Sequence, residues 1–127
     1  MATWDDVRDA MAALPGTVPG EGHEWRVRGT ALCWERPLRP ADLAALGADA
    51  PQGDILGVKV ADVGVAEALV ADDPAVCFTT PHFAGYPAVL VRLAVIDPQE
   101  LRELLRDAWL ARVAKRTAQA YLEAGGH

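Results

Sequence analysis

The sequence predicts an α+β domain, a two-layer sandwich in which an antiparallel sheet of about five strands carries helices on one face. Apolar residues recur at helical spacing near both ends of the chain, and short runs with strand-like alternation lie between them. Two pairs of consecutive strands have no helix between them, which favours antiparallel pairing. The length of 127 residues, 51% of them hydrophobic, suits a single domain spanning residues 1–127.

Five helices are predicted from apolar spacing and from start or stop signals. The first begins after Thr3, which forms with Asp6 the S/T-x-x-D/E pattern that satisfies free backbone N–H groups. The strongest start is Asp97-Pro98, a capping residue followed by proline at the first helical position. The other three helices are expected at Pro40–Leu46, from Asp62 to about Val70, and from about Lys115 to Glu123.

Five strands are predicted between these helices. The first two, Trp25–Arg28 and Ala31–Arg36, form a hairpin around a tight turn at Gly29-Thr30. The others are Ile55–Val60, Val76–Thr79 and the longest apolar run, Ala88–Ile96. Alternation along the strands leaves one face of the sheet for the helices and the other partly open to water. The stretch from Gly16 to Gly22 is expected to be a loop.

Composition excludes several classes of protein. A net charge of −6 and a pI near 4.9 count against a protein that coats nucleic acid or an anionic membrane. No apolar run approaches the roughly 18 residues of a membrane span, and the N-terminus lacks the features of a signal peptide. We therefore expect a cytoplasmic monomer with no membrane contact. Cys33 and Cys77 lie in apolar runs and are expected to be buried thiols.

Catalytic and metal-binding signatures are missing from the sequence. It contains no H-E-x-x-H, G-x-S-x-G, P-loop or G-x-G-x-x-G motif, so neither an enzyme nor a cofactor site is predicted. Asp5, Asp6 and Asp9 lie on the predicted first helix and are the candidate metal ligands of the chain. A solvated helix face is the preferred interpretation of these acids, so no metal site is predicted.

Four segments resemble a known family when they are taken in order and spacing. They are Leu14-Pro15-Gly16, Trp25–Gly29, the run T-P-H-F-x-G-Y-P leading into the strand at Thr80–Val91, and the helix at Asp97–Trp109. The chain resembles the MmcQ/YjbR family of small bacterial proteins over nearly its whole length. This resemblance implies a frataxin-like (CyaY-like) sandwich, which is described as a double wing. It also makes DNA a candidate partner. It implies no catalytic residues.

A basic face is the first candidate site. If the strand faces coincide, Arg26, Arg28, Lys59 and Arg92 form a stripe on the open side of the sheet, and arginine suits phosphate because its planar fork donates two hydrogen bonds. We therefore predict a non-enzymatic binding module that binds DNA weakly. Neutralising about four phosphates gives a salt slope near −3.6. The alternative is a solvated face whose arginines pair with acids.

The loop after the fourth strand is the second candidate site. His82, Phe83 and Tyr86 combine a titratable ring, an apolar ring and a phenol in the most distinctive motif of the chain. The functional interpretation is an adaptor that holds a protein partner or a small ligand with this loop. The structural interpretation is a turn in which Gly85 supplies an unusual backbone angle.

Overall fold

The computed structural model describes residues 1–50, 53–83 and 85–125. The helices of the described residues are α1 (Trp4–Ala12), α2 (Pro40–Leu46), α3 (Val63–Asp72), α4 (Pro98–Arg112) and α5 (Lys115–Glu123). The strands are β1 (Thr17–Pro19), β2 (Glu24–Val27), β3 (Thr30–Glu35), β4 (Ile55–Lys59), β5 (Cys77–Phe78) and β6 (Ala88–Arg92). Two short 3₁₀ turns lie at Gly47–Asp49 and Pro81–Phe83.

The strands form one sheet in the order β1-β2-β3-β4-β6-β5, and every neighbouring pair is antiparallel. The predicted α+β class is therefore confirmed. Register places Trp34 of β3, Gly57 of β4 and Leu90 of β6 side by side across the centre of the sheet. Because side chains alternate along a strand, Cys33, Val58 and Val89 share one face, which we call the first or helical face. Trp34, Gly57 and Leu90 share the opposite face, which we call the second face.

The first face of the sheet is covered by helices. It carries the larger apolar cluster, in which α1 and α4 pack together over the central strands and α3 packs near β5 and β6. Trp109 is fully buried in this cluster and its indole N–H donates to the carbonyl of Pro15 at 2.9 Å. Fully burying such side chains contributes about 1.5–3 kcal/mol each, so this cluster supplies most of the stability of the fold.

The second face of the sheet carries a smaller cluster. Ile55, Phe78, Ala88 and Leu90 are buried there beneath Phe83 of the 3₁₀ turn, and half-buried Trp34, Leu38 and Leu46 pack around them. This face was expected to be partly open to water. Instead α2 and the loop after β5 cover its centre.

The predicted helix caps are present. The Thr3 side chain accepts a hydrogen bond from the backbone N–H of Asp6, and the Asp6 carboxylate accepts one from the N–H of Thr3. Asp62 caps α3 and Asp97 caps α4 through the same kind of bond. Local sequence therefore determines where these three helices begin.

Two segments differ most from the prediction. The stretch predicted as a loop contains β1, which pairs with β2 and extends the sheet to six strands. The apolar run predicted as a strand to Ile96 leaves the sheet after Arg92, because the carbonyl of Arg92 accepts bonds from the N–H groups of Val95 and Ile96 in a turn. That turn still buries Leu93 and Ile96, so the residues are apolar for a reason other than strand pairing.

Both cysteines are free and buried, as predicted. Burial raises the pKa of the Cys33 thiol to about 12. Burial, with smaller effects of the Asp73 and Glu100 carboxylates, raises that of Cys77 to about 11. Neither thiol is a nucleophile at neutral pH. Among the described residues, no helix has the length and hydropathy to cross a bilayer.

Candidate functional site

The loop after β5 has a defined backbone. The N–H of Phe83 donates to the carbonyl of Thr80 at 2.9 Å, and the N–H of Tyr86 donates to the carbonyl of Phe83 at 2.9 Å. Gly85 has a φ of +76°, which favours glycine, as predicted; Ala84 lies outside the described residues. Phe83 is buried, whereas the side chains of His82 and Tyr86 are exposed. The loop is thus both a structural turn and an exposed pair of rings.

A buried ion pair supports this loop from below. Nη2 of Arg36 lies 3.1 Å from Oδ2 of Asp42, and both side chains are nearly inaccessible to water. The Arg36 guanidinium also stacks on the Phe83 ring, 5.3 Å from its centroid. The pair therefore ties the end of β3 and the start of α2 to the one buried ring of the loop.

Two groups hold the Asp42 carboxylate: the Arg36 guanidinium and the backbone N–H of Arg39, which donates to it at 2.9 Å. The bond from Arg39, followed by the charge and hydrogen bond of Arg36, holds the pKa of Asp42 below its ordinary value of 3.8, although burial opposes the shift. Asp42 is therefore ionised at neutral pH.

A cleft of about 380 Å³ opens beside the loop, and we call it the loop cleft. It lies within the size range of small-molecule sites. Its lining residues are Trp34, Glu35, Arg36, Pro37, Arg39, His82, Phe83 and Tyr86. Arg36 is already paired with Asp42, and the Glu35 carboxylate lies 3.2 Å from Nδ1 of His23. The exposed Arg39 guanidinium forms no ion pair within the described part of the chain, so it is the cation of the cleft that stays open to a ligand.

A second cleft of about 390 Å³ lies on the other side of Phe83 and Tyr86, and we call it the α3 cleft. Its wall on α3 is mainly apolar, formed by Val63, Ala66, Val70 and Ala71. Tyr86 and Phe83 thus separate a polar cleft with one open guanidinium from a mainly apolar cleft.

The four cations predicted to form a basic stripe do not converge. Arg28 was predicted to share a strand face with Arg26. Instead it lies in the hairpin turn with a φ of +54°, and its guanidinium donates to the carbonyl of Arg112 at the end of α4. Arg26 bonds within its own hairpin, to the carbonyl of Gly29 at 2.6 Å and the carboxylate of Glu24 at 3.3 Å. The turn begins one residue earlier than predicted, which sends these two arginines in different directions.

Lys59 and Arg92 do share the second face, but at opposite ends of it. Register pairs Lys59 with Ala88 and Ile55 with Arg92, so the two cations are four residues apart, roughly 13 Å along the strands. Arg92 stacks on Phe78, 4.9 Å from the ring centroid, and the Lys59 ammonium lies 6.0 Å from the centroid of Tyr86. The two predicted sites therefore meet at one point only, Lys59 beside Tyr86.

Sequence reasoning missed Arg36 and Arg39, which line the loop cleft, and Asp42, which pairs with Arg36 beneath it. Arg36 was predicted only as the end of a strand, and no role was predicted for Arg39 or Asp42. One signal was available, because an acid at the third position of a helix that starts with Pro40 is placed to accept a backbone bond. Nothing in the sequence indicates that Arg36 reaches this acid from another element.

The four tryptophans have different surroundings. Trp25 and Trp109 are buried core residues. Trp4 is only half-buried, and its ring stacks on His23 with 4.3 Å between centroids. Trp34 lies flat over Gly57, where a Cβ would stand 2.6 Å from its Cε2 atom. Gly57 thus provides the space that lets Trp34 form a wall of the loop cleft.

Comparison with known proteins places the chain among uncharacterised relatives. It is 54% identical to the uncharacterised protein Mb2600 of Mycobacterium bovis and to the uncharacterised protein Rv2570 of Mycobacterium tuberculosis. Both alignments cover 99% of this chain and 100% of the relative. A relative matched at this level over its whole length shares the fold and the family, and its name assigns no activity.

The fold is also seen in a crystal structure. Protein DR2400 of Deinococcus radiodurans, a DUF419 domain, superposes with a TM-score of 0.63, at 23% identity, over 100% of this chain and 91% of its own. The family description YjbR matches residues 12–111, which include the sheet, the loop cleft and most of α4. The chain therefore belongs to the YjbR family.

Proposed function

We propose that this protein is a non-enzymatic binding protein whose loop cleft takes a planar organic anion. One observation carries the proposal: the exposed Arg39 guanidinium and His82 imidazole lie around the same 380 Å³ cleft as the rings of Trp34 and Tyr86. Aromatic walls favour a flat apolar body, and a guanidinium favours a carboxylate or phosphate through two parallel hydrogen bonds.

The rigidity of the cleft supports the same proposal. Phe83 is anchored by the Arg36–Asp42 pair, and Trp34 is seated on Gly57. A site whose walls are already fixed loses little conformational entropy when it binds a ligand. The exposed rings of His82 and Tyr86 are then the adaptor surface that the motif predicts.

DNA binding is the alternative to this proposal. Binding through Arg26, Arg28, Lys59 and Arg92 together requires a continuous basic surface, and their side chains reach different parts of the fold. The loop cleft offers one open guanidinium, which suits a single anionic group better than a run of phosphates.

The test is a titration with 2-naphthoate followed by ¹H–¹⁵N NMR. We expect saturable shifts at the amides of His82, Tyr86 and Arg39, and weaker binding of neutral 2-naphthamide. Arg39→Gln should weaken naphthoate binding about tenfold, since it removes a charge-assisted bond. Arg116→Gln, which removes an exposed arginine on α5, is the matched control and should leave binding unchanged.

Three outcomes would overturn the proposal. The first is equal affinity for naphthoate and naphthamide, and the second is equal loss in the Arg39 and Arg116 variants. The third is binding of a 12-nucleotide single strand or duplex at ~50 mM salt that falls with a slope near −3.6 and is lost when Arg26 and Arg28 become Ala. That last result would restore the DNA-binding face.

We further propose that this binding protein is cytoplasmic and monomeric. Two free, buried thiols are ordinary in a reducing compartment. Fractionation of cells that express the tagged protein, followed by light scattering of the pure protein, would check both assignments.

A further inference from the structure

A groove runs between α3 and α4, on the helical side of the molecule. It consists of two adjoining cavities of about 230 and 270 Å³ that share Leu69, Leu104 and Asp107. Leu69 and Leu104 are half-buried on the inner edge of the larger core cluster, and Val65 is 39% exposed at one end. The groove thus has an apolar floor that the described helices leave uncovered.

Acidic side chains surround one end of this groove. Five of the described residues that line it are acids, and none is a base: Asp72, Asp73, Glu100, Glu103 and Asp107. They come from the last turn of α3 and from one face of α4. Two elements distant in sequence therefore bring like charges to the same place.

This arrangement is unfavourable for the isolated protein. Asp72 and Asp73 lie at the C-terminal end of α3, where the helix dipole disfavours negative charge. Glu100, Glu103 and Asp107 follow one another at spacings of three and four along α4, where like charges repel. The only ion pair of these five within the described residues is between Asp107 and its neighbour Arg106, at 3.6 Å.

We propose that the acidic groove docks a basic amphipathic helix of a protein partner. Such a helix would lay its apolar stripe on Leu69 and Leu104 and place Lys or Arg side chains against the acids of both walls. Charge complementarity selects this occupant, because a basic partner relieves repulsion that the free protein retains. The groove is formed by other residues than the loop cleft and does not depend on the function proposed for that cleft.

The test uses a synthetic 14-residue helix with leucine on one face and lysine on the other, labelled with fluorescein. We expect it to bind in fluorescence anisotropy with an affinity that falls as salt rises, and to shift amides of α3 and α4 in NMR spectra. The same peptide with glutamate in place of lysine should not bind.

Paired variants separate the groove from net charge. The variant Asp72→Asn/Glu103→Gln/Asp107→Asn should weaken binding about tenfold. The matched control Asp9→Asn/Glu21→Gln/Glu123→Gln removes the same charge from exposed acids elsewhere and should change binding less than about twofold. Equal losses in the two variants would overturn the proposal, because binding would then follow overall charge.

Two further measurements keep the result interpretable. The groove variant should unfold at a slightly higher temperature than the natural protein, so lost binding cannot be attributed to unfolding. Leu104→Ala should also weaken binding of the peptide, because the substitution removes part of the apolar floor of the groove. If spermidine competes with the peptide as well as an unlabelled copy does, the groove binds polycations only and the proposal fails.

Discussion

The two faces of the sheet are stabilised by different interactions. On the helical face, α1, α3 and α4 bury aliphatic side chains and Trp109 against the central strands. On the second face, a small apolar cluster is combined with one buried ion pair and three cation–aromatic contacts: Arg36 with Phe83, Lys59 with Tyr86, and Arg92 with Phe78. The apolar packing of the helical face stabilises the fold without requiring a particular side-chain geometry. The ion pair and the cation–aromatic contacts of the second face hold particular side chains in place.

This difference explains why the loop cleft lies on the second face. Hydrophobic burial is non-directional, whereas a buried ion pair is stable only when both partners keep their geometry. Arg36 and Asp42 therefore position Phe83, and through it the exposed rings of His82 and Tyr86. Substitutions on the second face test this division of roles.

Removal of the Asp42 carboxylate tests the ion pair. Asp42→Ala leaves the Arg36 guanidinium buried without its partner, so the free energy of unfolding should fall by about 3–5 kcal/mol. Urea denaturation followed by circular dichroism measures this change. Replacement of both partners, as Arg36→Met/Asp42→Leu, should recover most of the lost stability, because no uncompensated charge remains.

Asp5→Ala is the matched control for that variant. It breaks an ion pair of 2.7 Å between Arg8 and Asp5, whose side chains are 60% and 77% exposed. Exposed pairs contribute about 0–1 kcal/mol. If Asp42→Ala were no more destabilising than Asp5→Ala, the second face would be held by its apolar cluster alone.

Gly57→Ala tests the packing of the Trp34 ring against Gly57. The new methyl group would stand 2.6 Å from the Trp34 ring, so the ring must shift, and we expect a loss of about 1–3 kcal/mol. Trp34 fluorescence should change with it, because the ring moves toward the loop cleft. Adding Trp34→Leu to this variant should restore part of the stability; no restoration would show that the clash involves the backbone.

The pH dependence of stability has the smallest expected effect. The pKa of Asp42 is lower in the folded protein than its ordinary value of 3.8, so its contribution is complete above that value and is lost as pH falls through the folded pKa. Stability measured from pH 6 to pH 2 should therefore fall less steeply in Asp42→Asn than in the natural protein. Parallel curves would mean that other carboxylates cause the acid sensitivity.

Local signals in the sequence predicted most elements. Thr3, Asp62 and Asp97 cap helices where expected, and α2 and α5 have the predicted bounds, because caps, prolines and helical spacing act within a few residues. The run from Ala88 was predicted too long, since a buried strand and a buried turn are equally apolar. β1 was missed because a three-residue edge strand with Pro19 has almost no strand signal of its own.

The candidate site was harder to predict, because it depends on contacts between residues that are distant in the sequence. The loop motif identified His82, Phe83 and Tyr86 because they are neighbours in the chain. The basic stripe failed at Arg28, where a left-handed turn reversed the expected direction of one side chain. The Arg36–Asp42 pair joins two elements whose register no local pattern specifies, so it could only be seen in the folded chain.

The edges of the sheet have a consequence for behaviour at high concentration. β1 has three residues, one of them the Pro19 that lacks an N–H, and β5 at the opposite edge has two. Short edges with few free donors offer little template for a strand of another molecule. The protein should therefore stay dispersed when concentrated, and any assembly it forms should involve its side-chain surfaces rather than extension of its sheet.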